Sequence, residues 1–362
     1  MRISCDKRDI QAALKMSMRA VSPRQSWIYI KASEDGIRFI TNDGELSVTT
    51  AVEGNVQEQG VVAIDAKMFS DVVGKFSNGT VSMETDSNYV SVIKCGRAKF
   101  TIPGNDGENF LQPQPVKEGS GVSVPEGTLR NIIKQTLFCV AVSDNNPAMT
   151  GELMEVKDGK LKITALDGHR IAIREVGITG NYPDAKVIIP GKTMGELLKV
   201  LTDSNNPVEI FFEKFHICFS LNGARITSRL IDGDYFNIER LMADTFPIKV
   251  SVNTGEMLDC VNRASVVIRD GEKKPLKISF NDGIAEISAE SAFASAKEEI
   301  ELESHEGNSL LMGFNPKFIF DALNAVEDDV VTLEMINGKS PCFIRNRDAG
   351  YVYIVLPVNI GV

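Results

Sequence analysis

The sequence predicts an α+β fold built from tandem repeats, on three observations. A short apolar run, a capping or turn residue and an amphipathic helical stretch recur six times along the 362 residues. Several short runs of strand character follow each recurrence, and Gly-containing dipeptides punctuate those runs. The recurring blocks begin at Cys5, Ile64, Val124, Ile189, Val252 and Phe314, at intervals of 59, 60, 65, 63 and 62 residues. Self-similarity at a near-constant period is the mark of a repeat architecture.

The helices come first in each block. The sixth residue is always apolar (Ile10, Phe69, Leu129, Met194, Met257, Ile319), and the ninth and tenth nearly always are, as in Val72-Val73, Ile132-Ile133 and Leu197-Leu198. Spacings of three and four residues bring these onto one helix face. Asp65, Pro125, Pro190, Asn253 and Asn315-Pro316 are start signals. Asp and Asn accept from the orphan amides of a first turn, and Pro fits that turn without needing its missing N–H. The predicted helices span 6–21, 66–77, 125–142, 191–202, 253–269 and 315–326.

The intervening segments read as strands. TVSMET from Thr80, LKITAL from Leu161, HICFSL from His216, VVTLEM from Val330 and YVYIVLP from Tyr351 alternate in polarity or are β-branched, as half-buried strands do. Asp35-Gly36, Asp43-Gly44, Asn78-Gly79, Asp158-Gly159, Asn222-Gly223, Asp282-Gly283 and Asn337-Gly338 read as hairpin turns of antiparallel sheet. The repeat is therefore a β-α-β-β-β unit. Two units make a domain, which gives three tandem domains over 1–118, 119–246 and 247–362. The first boundary falls in the Pro/Gly-rich stretch 112–121 and the second near Phe246-Pro247.

Composition excludes several functions. No apolar run approaches the roughly 20 residues of a membrane helix, and MRISCDKRDI at the start has neither signal nor transit character. A cytoplasmic protein without membrane association is expected. Cys5, Cys95, Cys139, Cys218, Cys260 and Cys342 lie far apart with no C-x-x-C pair, so reduced, buried thiols are expected, with no structural metal. Gly191-Lys192-Thr193 after the run KVIIP imitates a phosphate-binding loop, but Lys186 stands where that loop needs a glycine. Asp167 and His169 sit near one another without a nucleophile motif beside them. No cofactor and no catalysis are expected. An enzyme or ligand-binding protein with its site at residues 167–170 is the alternative.

A net charge of −10 opposes nucleic acid binding until its distribution is considered. The predicted helices carry 13 Lys and Arg against 8 Asp and Glu, about +5, while the remainder carries about −15. Helices gathered on one side would attract phosphates there while the outside repels them. Packed about 8–10 Å apart, six helices close a circle too small for a duplex, whereas twelve leave an opening of roughly 28 Å. Two chains would supply twelve.

Several segments carry a specific likeness. Leu166-Asp167-Gly168-His169-Arg170-Ile171-Ala172 looks like T-D-G-H-R-L-A, with Leu166 in place of Thr. Ser228-Arg229-Leu230-Ile231-Asp232-Gly233 fits S-[RK]-L-[IV]-D-G, Gly313-Phe314-Asn315 precedes the last helix, and Tyr351 to Val358 form the closing Y-V-Y-I-V-L-P-V. With these motifs the chain resembles the bacterial DNA sliding clamps, the beta subunits of the replicative DNA polymerase, along its whole length. The resemblance implies three like domains per chain, a head-to-tail homodimeric ring around duplex DNA, helices lining the hole and sheets outside. It implies DNA-facing Lys15, Arg24, Lys192, Lys199 and Arg263, and a dimer interface of Phe100 and Ile102 against Val266 and Val267. A pocket between the second and third domains would take peptide tails of the polymerase catalytic subunit, the clamp loader, and repair and translesion polymerases. Its residues would be Met149, Gly168, His169, Arg170, Ile171, Arg240, Leu241, Asn315, Phe318, Pro341, Leu356, Pro357 and Val358. Arg170 and Arg240 would meet the peptide's carbonyls or an acidic side chain.

Overall fold

The structure is a computed structural model. It describes residues 1–362 except Lys117, Glu118, Ser120, Asn181, Asp244, Asp270, Gly271, Lys273, Gly361, Val362 and the side chain of Arg240. Six times a strand leads into a helix and at least three strands follow, and every strand pair among the described residues is antiparallel. The helices are α1 (Lys7–Ser17), α2 (Ala66–Lys75), α3 (Glu126–Lys134), α4 (Gly191–Leu198), α5 (Thr254–Ser265) and α6 (Pro316–Asn324). The first repeat shows the pattern: Arg2–Asp6, then α1, then Trp27–Ser33, Gly36–Asn42 and Leu46–Val52. The first and fifth repeats each add one short strand, Asn55–Glu58 and Ser304–Glu306.

Each helix forms for the reasons its sequence supplies. Asp65 accepts from the Met68 amide at 2.7 Å, Asn253 from Glu256 at 3.0 Å and Asn315 from Lys317 at 3.0 Å. Asp6, which the start signals did not include, caps α1 through the Arg8 amide. The sixth-position residues Ile10, Phe69, Leu129, Met194, Met257 and Ile319 are all at most 3% exposed, so the repeating apolar position is the inward face.

The helices are shorter than predicted. The stretch 125–142 is α3 followed by a separate 3-10 turn, Leu137–Cys139. Thr136 lies between them and turns its hydroxyl back to the Ile132 carbonyl at 2.9 Å and across to the Glu152 carboxylate at 2.7 Å. Such local bonds compete with the helix ladder. The stretch 6–21 divides likewise, into α1 and the turn Met18–Ala20. Hairpin turns largely fall where expected. At Asp158-Gly159 and Asn222-Gly223 both residues have positive φ (50° and 70°, 48° and 74°), the form whose twist matches paired strands. Asn78-Gly79 is different: it joins α2 to Thr80–Thr85, so it makes no hairpin.

The chain divides into two compact units, Met1–Arg130 with Lys192–Leu230, and Asn131–Gly191 with Ile231–Val362. In the first, thirteen described strands form one sheet, because Ala224–Arg229 pairs with Leu46–Val52, Ile226 opposite Val48. Ile30, Phe39, Val62, Phe69 and Ile93 lie at the heart of its core. The second holds a nine-stranded and a four-stranded sheet. There Arg170–Gly177 pairs with Tyr351–Val355, and Val250, Met257, Phe280, Phe314 and Tyr353 fill the core. Strands from the middle third of the sequence thus extend the sheets of both flanking thirds. All six cysteines are buried free thiols. No described helix is long and apolar enough to cross a membrane.

Candidate peptide-binding cleft

The site is built around one hairpin of the second unit. Strand Lys160–Leu166 turns through Asp167, Gly168 and His169 into Arg170–Gly177. The Asp167 carboxylate accepts from the amides of His169 at 3.0 Å and Arg170 at 3.1 Å, and Gly168 takes φ 84°. A short acceptor and a glycine are what this turn requires. Tyr351–Val355 lies alongside, and the Leu356 amide extends the pairing to the His169 carbonyl at 2.9 Å. Register then sets Leu166 opposite Ile171 and Ile171 opposite Ile354. Cross-strand partners share a face, so the three form an apolar row that is nearly fully buried.

Two 3-10 turns complete the walls. Pro147–Thr150 brings Met149, and Ile238–Leu241 brings Leu241, with Phe236 just before it. The Tyr235 hydroxyl pins that second segment by reaching the carbonyls of Thr164 at 3.1 Å and Gly151 at 3.3 Å. Burial, with Glu152 and Cys139 nearby, pushes its phenol well above the usual range. The result is a cleft with mostly apolar walls that encloses about 450 Å³ including its open mouth. Phe236 is 45% exposed and Leu241 37% at its mouth. Large apolar side chains left open around a concavity mark a binding site rather than a folding requirement.

Met149, Gly168, His169, Arg170, Ile171, Leu241 and Leu356 line this cleft, as do Leu166, Phe236 and Ile354, which sequence reasoning did not include. Leu166 carried a signal, since it departs from the family pattern. Phe236 carried none. Asn315, Phe318, Pro341, Pro357 and Val358 do not line it. Asn315 caps α6, while Phe318 stacks on the His169 ring at 5.9 Å. Val358 donates its amide to the Gly313 carbonyl at 2.8 Å and is partly exposed. Arg240 belongs to the second 3-10 turn, and its side chain lies outside the described residues.

Arg170 does not act as expected. Its guanidinium is buried and committed within the chain, Nε to Asp167 at 2.8 Å, Nη1 to Asp321 at 2.6 Å and Nη2 to the Phe138 carbonyl at 2.6 Å. It also lies 4.4 Å from the centre of the Phe318 ring. A cation so placed braces the hairpin and is not offered to a peptide.

The five cations assigned to DNA divide into two groups. Lys15 and Arg24 are exposed. Lys192 bonds Asp43 at 2.6 Å, Lys199 bonds Glu196 at 2.7 Å and Arg263 bonds Glu298 at 2.7 Å. Asp43 is nearly covered and also accepts from the Glu45 and Leu46 amides. Although burial opposes it, Lys192 and these amides hold its carboxyl below the usual range. Lys7, counted among the helix charges, is buried with its ammonium on the Phe76 carbonyl.

At the expected interface, Val266 is 80% exposed and Phe100 is exposed against Phe76. Ile102 is a correction. Two residues from Phe100 on the same strand face, it reaches the core of the first unit and is only 2% exposed. The backbone there is more open than the side chain. Ala98–Asn105 pairs along its length with Val90–Cys95, but with Gly60–Asp65 only at Gly104 and Asn105. In the second unit, Ser295–Glu301 is an edge strand, paired only with Ile284–Glu290 among the described residues.

Comparison with known proteins agrees with this architecture. Residues 1–112, 123–237 and 239–359 match the models of the N-terminal, central and C-terminal domains of the DNA polymerase III beta subunit. A beta sliding clamp of Staphylococcus aureus is 30% identical over 361 residues, covering 95% of this chain and 96% of that protein. Among solved structures, a DNA polymerase III beta subunit from Eubacterium rectale superposes with a TM-score of 0.97 at 37% identity, covering 100% of both chains. The DNA polymerase sliding clamp from Bacillus subtilis gives 0.96 at 29%, covering 99% of both. The chain, matched over its whole length, belongs to the beta sliding clamps, the processivity subunits of DNA polymerase III.

Proposed function

We propose that two copies of this chain close head to tail into a ring around duplex DNA, slide without reading sequence, and hold partner proteins by short peptide tails. The ring would be a cytoplasmic scaffold with no catalysis of its own, with domains over 1–118, 119–246 and 247–362. Its partners would be the polymerase catalytic subunit, the clamp loader, and repair and translesion polymerases. The cleft of Met149, Leu166, Ile171, Phe236, Leu241, Ile354 and Leu356 is the observation that carries this reading. A preformed apolar cleft offsets the ordering entropy of a flexible tail, and alternate pockets give it direction.

Two further features support the assembly. The open strand edges carry opposite net charge: Lys99 is exposed on the first strand, with Arg97 in the turn before it and Lys94 on the strand beside it, while the second carries Glu298, Glu299 and Glu301 against one Lys297. An unpaired edge invites a partner strand, and two identical junctions close a two-fold ring. Lys15 and Arg24 would meet phosphates through mobile, salt-sensitive contacts, weak enough to let the ring move. Lys192, Lys199 and Arg263 would contribute field around their carboxylate partners.

The test is a titration of a fluorescent polymerase-tail peptide against wild type and a Met149→Asp, Leu241→Asp double variant. The variant should lose binding while its sedimentation is unchanged, and undiminished affinity would place the partner site elsewhere. On DNA, the protein should stay on a nicked circle and escape once the circle is cut. Equal retention on both would rule out encirclement.

A further inference from the structure

Beyond Phe236 the cleft does not end. The apolar row of Leu166, Ile171 and Ile354 lies on one face of the sheet, and the next row on that face is two residues further along each strand, about 7 Å away. There Thr164 pairs with both Leu153 and Ile173, giving a second floor. One step further, Glu155 stands opposite Lys162 on one side and Lys186 on the other. The segment carrying Tyr235, Phe236, Ile238, Glu239 and Met242 walls this second trough, which encloses about 970 Å³ including its open mouth. Phe236 is common to both cavities.

The end of the trough has an unbalanced charge. Lys162 reaches one Glu155 oxygen at 2.8 Å and Lys186 the other at 3.3 Å. Two ammonium groups therefore share one carboxylate, and both remain partly exposed, Lys186 the more so. Although partial burial opposes it, this pair holds the Glu155 carboxyl below its usual range. Glu175, opposite Lys162 on its other side, is taken by Lys160 at 2.6 Å, so two ammonium groups remain on the one Glu155 carboxylate. Glu239 stands on the other wall. The two sides thus differ in sign, and an extended chain lying between them is sorted by its own charges.

We infer that this trough is a second subsite of the same cleft and takes a carboxylate, carried about four residues from the apolar anchor of the partner's peptide, between Lys162 and Lys186. The inference rests on the peptide-anchoring reading and adds a preference to it. The anchor supplies affinity through burial, and the rim charges select among tails that share that anchor.

Short fluorescein-labelled peptides test it. They share an anchor of two bulky apolar residues and differ at one residue (Asp, Asn or Lys) placed about four positions before or after that anchor. Fluorescence anisotropy at low salt should show the Asp peptide binding roughly threefold to fivefold tighter than the Asn peptide for one of the two placements, as a partly exposed charge pair allows. The Lys peptide should bind more weakly than either. Salt should erase the preference. A Lys162→Gln, Lys186→Gln double variant should erase it too while binding the Asn peptide as wild type does. Glu239→Gln should tighten the Asp peptide further. Equal affinity of the Asp and Asn peptides for wild type, or a preference that survives in the double variant, overturns the subsite. Failure of every peptide to bind would overturn the anchoring cleft itself, and the subsite with it.

Discussion

Glu152 shows how one side chain can tie stability to pH. It is fully buried beside the turn that carries Met149. One carboxylate oxygen accepts from the Thr136 hydroxyl at 2.7 Å, and the other has no hydrogen-bond partner among the described residues. Burial pushes its carboxyl up to about 8 against the smaller opposing pull of Thr136. An unfolded chain releases that proton near the ordinary Glu value, so the folded state holds it to higher pH. The stabilisation is complete below the unfolded pKa and is lost as pH rises towards 8, a change on the order of a few kcal/mol. The thermal stability of wild type should therefore fall between about pH 4.5 and pH 8 and level off above that, while Glu152→Gln stays flatter. Matching pH profiles would show that Glu152 is not the group responsible. Nothing around Gly151-Glu152 in the sequence announced this, because burial is a property of the packed neighbours. The same holds for Arg170. The motif placed it correctly in the hairpin, yet Asp321, which claims its guanidinium, is 151 residues away.

Among the helices, the sequence was most legible where bonds are local. The caps Asp65, Asn253 and Asn315 are each a side chain bonded to an amide two or three residues on, so composition alone locates them. Helix ends were less legible, since the apolar stripe of 125–142 continues after Thr136 has broken the ladder. Asn315 separates the two kinds of reading. The family likeness gave it to the peptide pocket, whereas here it caps α6 and does not line the cleft. Asn315→Ala should cost about 1 kcal/mol in urea unfolding. Asn315→Asp should retain that stability, and both variants should bind the fluorescent tail peptide as wild type does. A selective loss of peptide affinity in the Ala variant would return Asn315 to the pocket.

Assembly depends on surfaces that no single element reveals. Val266, at the end of α5, leaves most of its side chain in water, a cost that association would recover. Val266→Glu with Val267→Glu should put charged side chains where a head-to-tail junction would bury apolar ones, and the cost of stripping their water should oppose the junction. Sedimentation velocity at micromolar concentration should show dimers for wild type and monomers for the variant. Val267 packs on the core and Val266 does not, so Val266→Glu alone should weaken the dimer with little change in the unfolding midpoint. A variant that remains dimeric would move the interface away from this helix end. Ile102→Glu is a poor substitute, since Ile102 belongs to the core and its loss would unfold the first unit.

What the sequence determined by itself was periodic: six β-α-β-β-β units, their inward apolar positions and the turns at Asp158-Gly159 and Asn222-Gly223. Each rests on side chains a few residues apart, where spacing alone decides which face they share. Only the tertiary structure decided that strands of the middle third pair with both flanking thirds, Ile226 with Val48 and Ile171 with Ile354. It also decided that Leu166, Ile354 and Phe236 meet in one cleft, and that Lys192 spends its charge on Asp43. Those partners lie far apart in the chain. Strand register, which sets who faces whom, is fixed by the sum of core packing and not by any local run of residues.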